Sequence, residues 1–242
     1  VTRELTERWQ TALDAFAVDP EIFARWPDYR VLIIAVDGLD RASIDRNAGA
    51  GETALDRAEA AMRAAGVADW ATDPHIARWM QAFSDFGVKP KKYSPSVLAL
   101  LKRLDAGLPR IDPLTDLYNA ISITHRISIG GENLAAYVGK PRLCIATGDE
   151  PFDTVDKGEP VVDHPSAGEV VWRDDAGVTC RRWNWRQCVR TRLDAQTETA
   201  FFLFDALGPL SDAELQQAGD ELIAGLVVLS PDVAIGQRIV RA

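Results

Sequence analysis

Six consecutive apolar residues, Val31-Leu32-Ile33-Ile34-Ala35-Val36, constrain this chain more than any other stretch. A half-exposed strand alternates apolar and polar residues, because successive side chains point to opposite faces. An unbroken apolar run instead suits a strand covered on both faces. Asp37-Gly38 supplies the turn that ends it. Such a strand needs a packed layer on each side, and the rest of the chain has to provide them. The run is far too short to span a bilayer.

The first half of the chain offers helices. Leu5, Trp9, Leu13 and Phe16 recur at helical spacing and predict an amphipathic opening helix. A second helix is expected over about 52–65, with Leu55, Ala58, Met62 and Ala65 inward and Gly66 as its stop. Asp73-Pro74, Ser94-Pro95 and Asp112-Pro113 each put a capping side chain before a proline suited to the first helical position. Ser211 and Glu214 predict a capping box for the last helix.

From about Leu143 the pattern changes. "LCIAT", "GEVVWRDD", "GVTCRRWNW" and "TAFFLF" read as strands broken by Gly and Asp turns. Residues 149–166, rich in Pro, Gly and Asp, read as a long loop. Helices first and strands later predict an α+β fold, a mixed β-sheet packed with helices. No repeat or linker divides the 242 residues. The expectation is a single domain with a helix-rich portion at 1–88, a core at 89–210, and a last helix and tail at 211–242.

Charge restricts the partners. The formal net charge of −9 opposes approach to nucleic acid unless a local basic patch offsets it. Two basic segments exist. One holds Lys89, Lys91 and Lys92, with Lys102 and Arg103 further on. The other holds Arg181, Arg182 and Arg190. Three cysteines, an odd and low count, fit reduced thiols. The start, "VTRELTERWQ", lacks a charged-then-apolar leader, so the expectation is a cytoplasmic protein with no membrane contact. His75, His125 and His164 stand in no zinc motif and no cysteine pair has C-x-x-C spacing, so neither metal nor cofactor is expected. "GAGETA" (49–54) matches G-x-G-x-x-A, but about a dozen residues separate it from Val36. It reads as a loop entering a helix rather than a dinucleotide fingerprint.

"CRRWNWRQC", residues 180–188, is the most unusual segment. As a strand of period two it places Arg181, Trp183, Trp185 and Gln187 on one face, and Arg182, Asn184 and Arg186 on the other. Two readings stay open. The strand carries tryptophans on the core and arginines in solvent, or it forms a pocket wall with indoles for shape and amide and guanidinium groups for orientation.

An ordered set of segments resembles a known family: "LPRIDPLTDLYNAISI" (108–123), "SIGGENLAAYVG" (128–139), "CIATGDEPF" (144–152), "GEVVWRDDAGVTCRRWNWRQ" (168–187) and "TETAFFLFD" (197–205). Together they resemble the B3/B4 domain of the phenylalanyl-tRNA synthetase β subunit, in its free-standing form. The resemblance implies an α/β unit with a mixed sheet that hydrolyses an amino acid wrongly esterified to tRNA. The family's D-x-x-N falls on Asp116 and Asn119, and its G-x-E on Gly148 and Glu150. Its glycine-rich pocket loop falls near Trp183–Gln187. Here that loop is "WNWRQ", Gln187 stands nearest the family's loop glutamate, and Cys144 stands where arginine is usual. The family's pocket histidine aligns near Gly130–Gly131, with His125 close by in sequence.

The resemblance therefore implies catalytic roles for Asn119, Glu150 and Gln187. It implies contacts to the aminoacyl group from Asp116, His125, Trp183, Asn184, Trp185 and Arg186. The tRNA end would meet Lys89, Lys91, Lys92, Arg181, Arg182 and Arg190. The expected function is deacylation of mischarged aminoacyl-tRNA in trans. The alternative is a non-catalytic module that binds an amino acid, an aminoacyl-tRNA end or a protein partner. A third possibility is hydrolysis of a small amino-acid ester or amide.

Overall fold

A computed structural model describes residues 3–89 and 92–242. The chain opens with helix α1 (Glu7–Asp14), strand β1 (Ala17–Val18), α2 (Pro20–Arg25) and β2 (Arg30–Asp37). Helices α3 (Arg41–Arg46), α4 (Ala48–Ala64), α5 (Pro74–Asp85), α6 (Ser96–Leu101) and α7 (Pro113–His125) follow. Next come β3 (Ser128–Asn133), β4 (Arg142–Ile145), β5 (Phe152–Asp156), β6 (Glu159–Asp163), β7 (Val170–Asp174), β8 (Gly177–Arg181), β9 (Arg186–Gln187) and β10 (Thr199–Ala206). Helix α8 (Asp212–Leu229) and strand β11 (Ala234–Arg241) end the chain.

The apolar run forms β2, and Val31 through Val36 are all fully buried. β2 is an inner strand of an antiparallel sheet ordered β11-β2-β10-β3. One face carries Leu32, Ile34, Phe202 and Phe204 and packs against Leu215, Leu222 and Leu226 of α8 and Leu114, Leu117 and Ile121 of α7. The other carries Val31, Ile33, Phe201 and Leu203 and packs against Trp172, Cys180 and Trp183. Trp172 and Cys180 belong to a second sheet, ordered β1-β4-β7-β8-β9, and Trp183 to the turn between its last two strands. At about 25 cal/mol per Å² of apolar surface removed from water, both faces of this sheet contribute to stability.

The capping signals explain where helices begin. Asp73 accepts from the N–H groups of His75 and Ile76, and Asp112 from those of Leu114 and Thr115. Ser211 and Glu214 form the reciprocal box at α8. Ser94-Pro95 departs from the expectation. Pro95 itself is the N-cap of α6, and the helix starts at Ser96. "GAGETA" also departs, lying inside α4 rather than in a loop. Gly51 faces α7 so closely that a Cβ would overlap the Pro113 carbonyl, so its reason is packing.

Three strand expectations need correction. Residues 149–166 are not one long loop, because β5 and β6 pair as a hairpin. β3 and β11 complete the central sheet. Period-two patterning hid them, since "SIGGEN" has no side chain at two positions and "AIGQRIVR" is a half-exposed edge. Residues 180–188 are not one strand. β8 ends at Arg181, residues 182–185 turn, and β9 returns as its antiparallel partner. No helix among the described residues is long and apolar enough to cross a membrane.

Candidate functional site

The turn between β8 and β9 builds the site. Arg182 and Trp183 both adopt left-handed backbone, with φ of 48° and 66°. For residues with a Cβ this costs on the order of 1–2 kcal/mol each. Burial offsets it. The Trp183 indole is fully buried, edge-on to Trp26 (4.9 Å between centroids), Tyr29 (4.9 Å) and Trp79 (5.1 Å). Its backbone N–H donates to the Val170 carbonyl at 2.7 Å. A fully buried large side chain contributes about 1.5–3 kcal/mol, and aromatic pairing about 0.5–1.5 more per contact. The strained turn is therefore pinned by its own indole.

Pinned there, the turn closes a cavity of about 250 Å³. Asn119 of α7 and Trp183, Asn184, Trp185, Arg186 and Gln187 all line it. The α6 start ties down the rim, with the Ser96 N–H donating to the Asn184 carbonyl at 3.2 Å. Asn184 is 8% exposed, yet neither atom of its side-chain amide has a hydrogen-bond partner. The indole N–H groups of Trp172 and Trp183 also lack partners. A buried polar group left unsatisfied costs about 1–3 kcal/mol, so these atoms favour an occupant able to bond them. Gln187 differs, donating to the Gly131 carbonyl at 3.0 Å. A Cβ at Gly130 would sit 3.1 Å from the Gln187 amide nitrogen, so the glycine leaves room for it.

Two carboxylates also line the cavity, and the sequence reading missed both. Asp205 on β10 is 3% exposed and accepts from the Tyr29 hydroxyl at 2.6 Å. Burial pushes its pKa up to about 7, against the pull of Tyr29 and of the nearby Asn184 amide. Glu132 on β3 is 1% exposed and accepts from Tyr137 at 3.0 Å and from Thr191. Burial pushes it up to about 8, with Thr191 and Tyr137 acting the other way. In the antiparallel pairing Glu132 lies opposite Phe201, and Asp205 opposite Ser128. The two acids thus share one face of the sheet, their backbones about 14 Å apart along the strand direction at about 3.4 Å per residue. A signal existed, since an acid inside the apolar run "TAFFLFDA" is rarely buried without a purpose. Arg103 and Arg186 stand exposed at the rim, so the cavity is acidic inside and basic at its mouth.

Other sequence candidates lie elsewhere. Glu150 does not line the cavity. Its carboxylate accepts from the N–H groups of Thr147 and Gly148, both at 2.9 Å, and lies 3.5 Å from Arg173. Burial opposes its ionisation, but those N–H bonds outweigh it and hold the pKa low, as suits a loop cap. Asp116 does not line the cavity and accepts from the Ile111 N–H at 3.0 Å. His125, at the end of α7, meets Glu221 at 2.9 Å.

The arginines expected on a basic surface are turned inward, because acidic side chains meet them. Arg181 is buried, bonded to both oxygens of Glu169 at 2.9 and 2.8 Å and to Asp163 at 2.5 Å. Arg182 is sandwiched between the rings of Tyr93 (3.8 Å) and Trp185 (4.2 Å). Arg190 forks onto Asp174 at 2.9 and 2.8 Å. Lys89 and Lys92 are exposed, and Lys91 lies outside the described residues. Among the described residues no group of His, Cys, Asp and Glu side chains is arranged to hold a metal ion.

Comparison with known proteins adds a family. The model of the B3/4 domain matches residues 78–217, a span that contains Asn119, Glu132, Asp205 and the 182–187 segment. No curated protein matches the chain. Among solved structures, it is similar to an N-terminal fragment of the phenylalanyl-tRNA synthetase β-subunit from Pyrococcus horikoshii. That similarity has a TM-score of 0.43 and 10% identity, over 94% of this chain and 54% of that one. The chain spans about half the length of that fragment.

Proposed function

The chain belongs to the B3/4 domain family, and from that premise we propose that its cavity is an aminoacyl site and that the protein hydrolyses aminoacyl esters, deacylating mischarged aminoacyl-tRNA in trans. The observation that carries this reading is the meeting of Asn119 with the 183–187 segment around one cavity that also holds two buried carboxylates.

An aminoacyl ester is already activated, so the protein has to position water and stabilise the developing oxyanion. Glu132 has one oxygen bound by Tyr137 and Thr191 and the other free of hydrogen bonds. Ionised, that free oxygen takes the proton of an attacking water, and the elevated pKa makes it a stronger base. Water oxygen bonds to the carbonyl carbon, the bond from that carbon to the ribose oxygen breaks, and the proton Glu132 took from water passes to the leaving ribose oxygen. The Asn119 amide, which has no partner among the described residues, and the Arg186 guanidinium are donors for the oxyanion. Gln187 stays bonded to Gly131 and shapes the wall. In this reading Glu150 supports its loop and takes no part in the chemistry.

The test is deacylation of a panel of mischarged tRNAs by the purified protein, with Asn119→Ala and Glu132→Gln as controls. Removing a general base lowers the rate by roughly 10²–10⁴. No deacylation of any member above the Asn119→Ala background overturns the reading. Tight binding of a non-hydrolysable aminoacyl-adenosine without turnover would favour the non-catalytic module instead.

A second reading has its own support. Arg181, Arg182 and Arg190 are engaged inside an acidic protein and leave little basic surface for an RNA backbone. The same cavity would then serve small amino-acid esters or amides, with activity independent of salt.

A further inference from the structure

The cavity combines features that the hydrolysis reading leaves unused. Asp205 has one oxygen bound by Tyr29 and no cation beside it. The Asn184 amide next to it is more than nine-tenths buried, and neither of its polar atoms meets a partner in full hydrogen-bond geometry. The rim carries Arg103 and Arg186, both exposed.

A buried carboxylate without a counter-charge is costly, and either a proton or a cation relieves the cost. The groups facing Asp205 are Tyr29 from the turn before β2, Cys180 from β8 and Asn184 from the β8–β9 turn, and none is cationic. Glu132 is faced by Tyr137, Thr191, Cys180 and Cys188, with Arg190 and Asp174 farther out as an ion pair. The interior lacks one positive charge, and the mouth offers two.

We propose that the cavity takes its ligand ammonium-first: a free primary ammonium group lies against Asp205 and the Asn184 amide oxygen, and the carboxyl or ester end points toward Arg103 and Arg186. This rests on the reading of the cavity as an aminoacyl site and narrows its substrate class. The ligand is an α-amino acid, or its ester, with an unblocked amine. N-acylated forms are refused, since an amide carries no charge and its acyl group needs the space beside Asp205.

The arrangement couples binding to protonation. The empty cavity holds Asp205 partly protonated near neutrality, and the ammonium requires it ionised, so binding releases a proton. Isothermal titration of the full chain with the twenty free L-amino acids and their N-acetyl counterparts tests this, in buffers of differing ionisation enthalpy. At least one free amino acid is expected to bind, with its N-acetyl form at least tenfold weaker. Its affinity should be roughly tenfold lower at pH 6 than at pH 7.5. Asp205→Asn, checked for folding by circular dichroism, should weaken binding at least tenfold and abolish the pH dependence. If that variant does not fold, the N-acetyl and pH comparisons on the unaltered protein decide.

Equal binding of an N-acetyl form, affinity independent of pH, or no amino acid bound at millimolar concentration overturns the proposal. The hydrolysis reading fails separately. Amino-acid binding with the expected pH dependence but no ester turnover removes the hydrolase and keeps the ammonium site. Equal hydrolysis of blocked and unblocked esters does the reverse.

Discussion

The hydroxyl of Tyr29 donates to the Asp205 carboxylate at 2.6 Å, joining the turn before β2 to the end of β10. The same tyrosine ring lies 4.9 Å from the Trp183 indole, edge-on. One side chain therefore supports the acid inside the cavity and the turn that closes it.

The first prediction concerns pH. Asp205 rises from 3.8 to about 7 and Glu132 from 4.5 to about 8 on folding. Between those limits the folded chain binds more protons than the unfolded one, so these two groups make stability fall as pH rises from about 4 to about 8. Each contributes a slope of up to about 1.4 kcal/mol per pH unit. Asp205→Asn should remove one such slope, measured as urea midpoints of both proteins from pH 5 to 8. Parallel curves would refute it.

Trp183 and Trp185 should behave differently. Trp183 is fully buried against four other aromatic rings, so Trp183→Ala should cost about 3–5 kcal/mol. Trp185 is half-buried and packs on Tyr93 and Arg182 at the rim. Trp185→Ala should cost about 1 kcal/mol, in the common range for single substitutions. Chemical denaturation that ranks the two in the opposite order would contradict the account of the turn.

Glu169 is 3% exposed and neutralises Arg181, itself buried. Removing one partner of a buried pair leaves the other charged and unsatisfied, at about 3–5 kcal/mol. Glu169→Ala should therefore lower the unfolding midpoint far more than Lys89→Ala, which touches only solvent-exposed surface. A thermal-shift comparison reads the difference directly.

Any interaction with RNA should depend weakly on salt. Lys89, Lys92, Lys102, Arg103 and Arg186 are exposed cations of the described residues near the cavity and its flanks. Five phosphate contacts to single-stranded RNA give a log–log slope of about −3.5. A slope steeper than about −5 would mean a basic track that this surface does not present.

The caps at Asp73, Asp112 and Ser211 were legible because each is a contract between neighbours two or three residues apart. The buried strand at 31–36 was legible because six apolar side chains leave no solvent face. Asn119 and the 183–187 segment were legible as residues, from chemistry and family resemblance. Glu132, Asp205 and the inward-turned arginines were not, because their partners come from distant elements: Tyr29 lies 176 positions from Asp205, and Thr191 lies 59 from Glu132.

The sequence by itself determined the α+β class, the central strand and the helix starts, since burial pattern and capping act over a few residues. Only the tertiary structure decided that residues 182–185 turn instead of extending. Local preference favours a strand there, since a tryptophan avoids positive φ. The aromatic core that receives the Trp183 indole repays that strain, and the core exists only once β2, α2, α5 and β8 have come together.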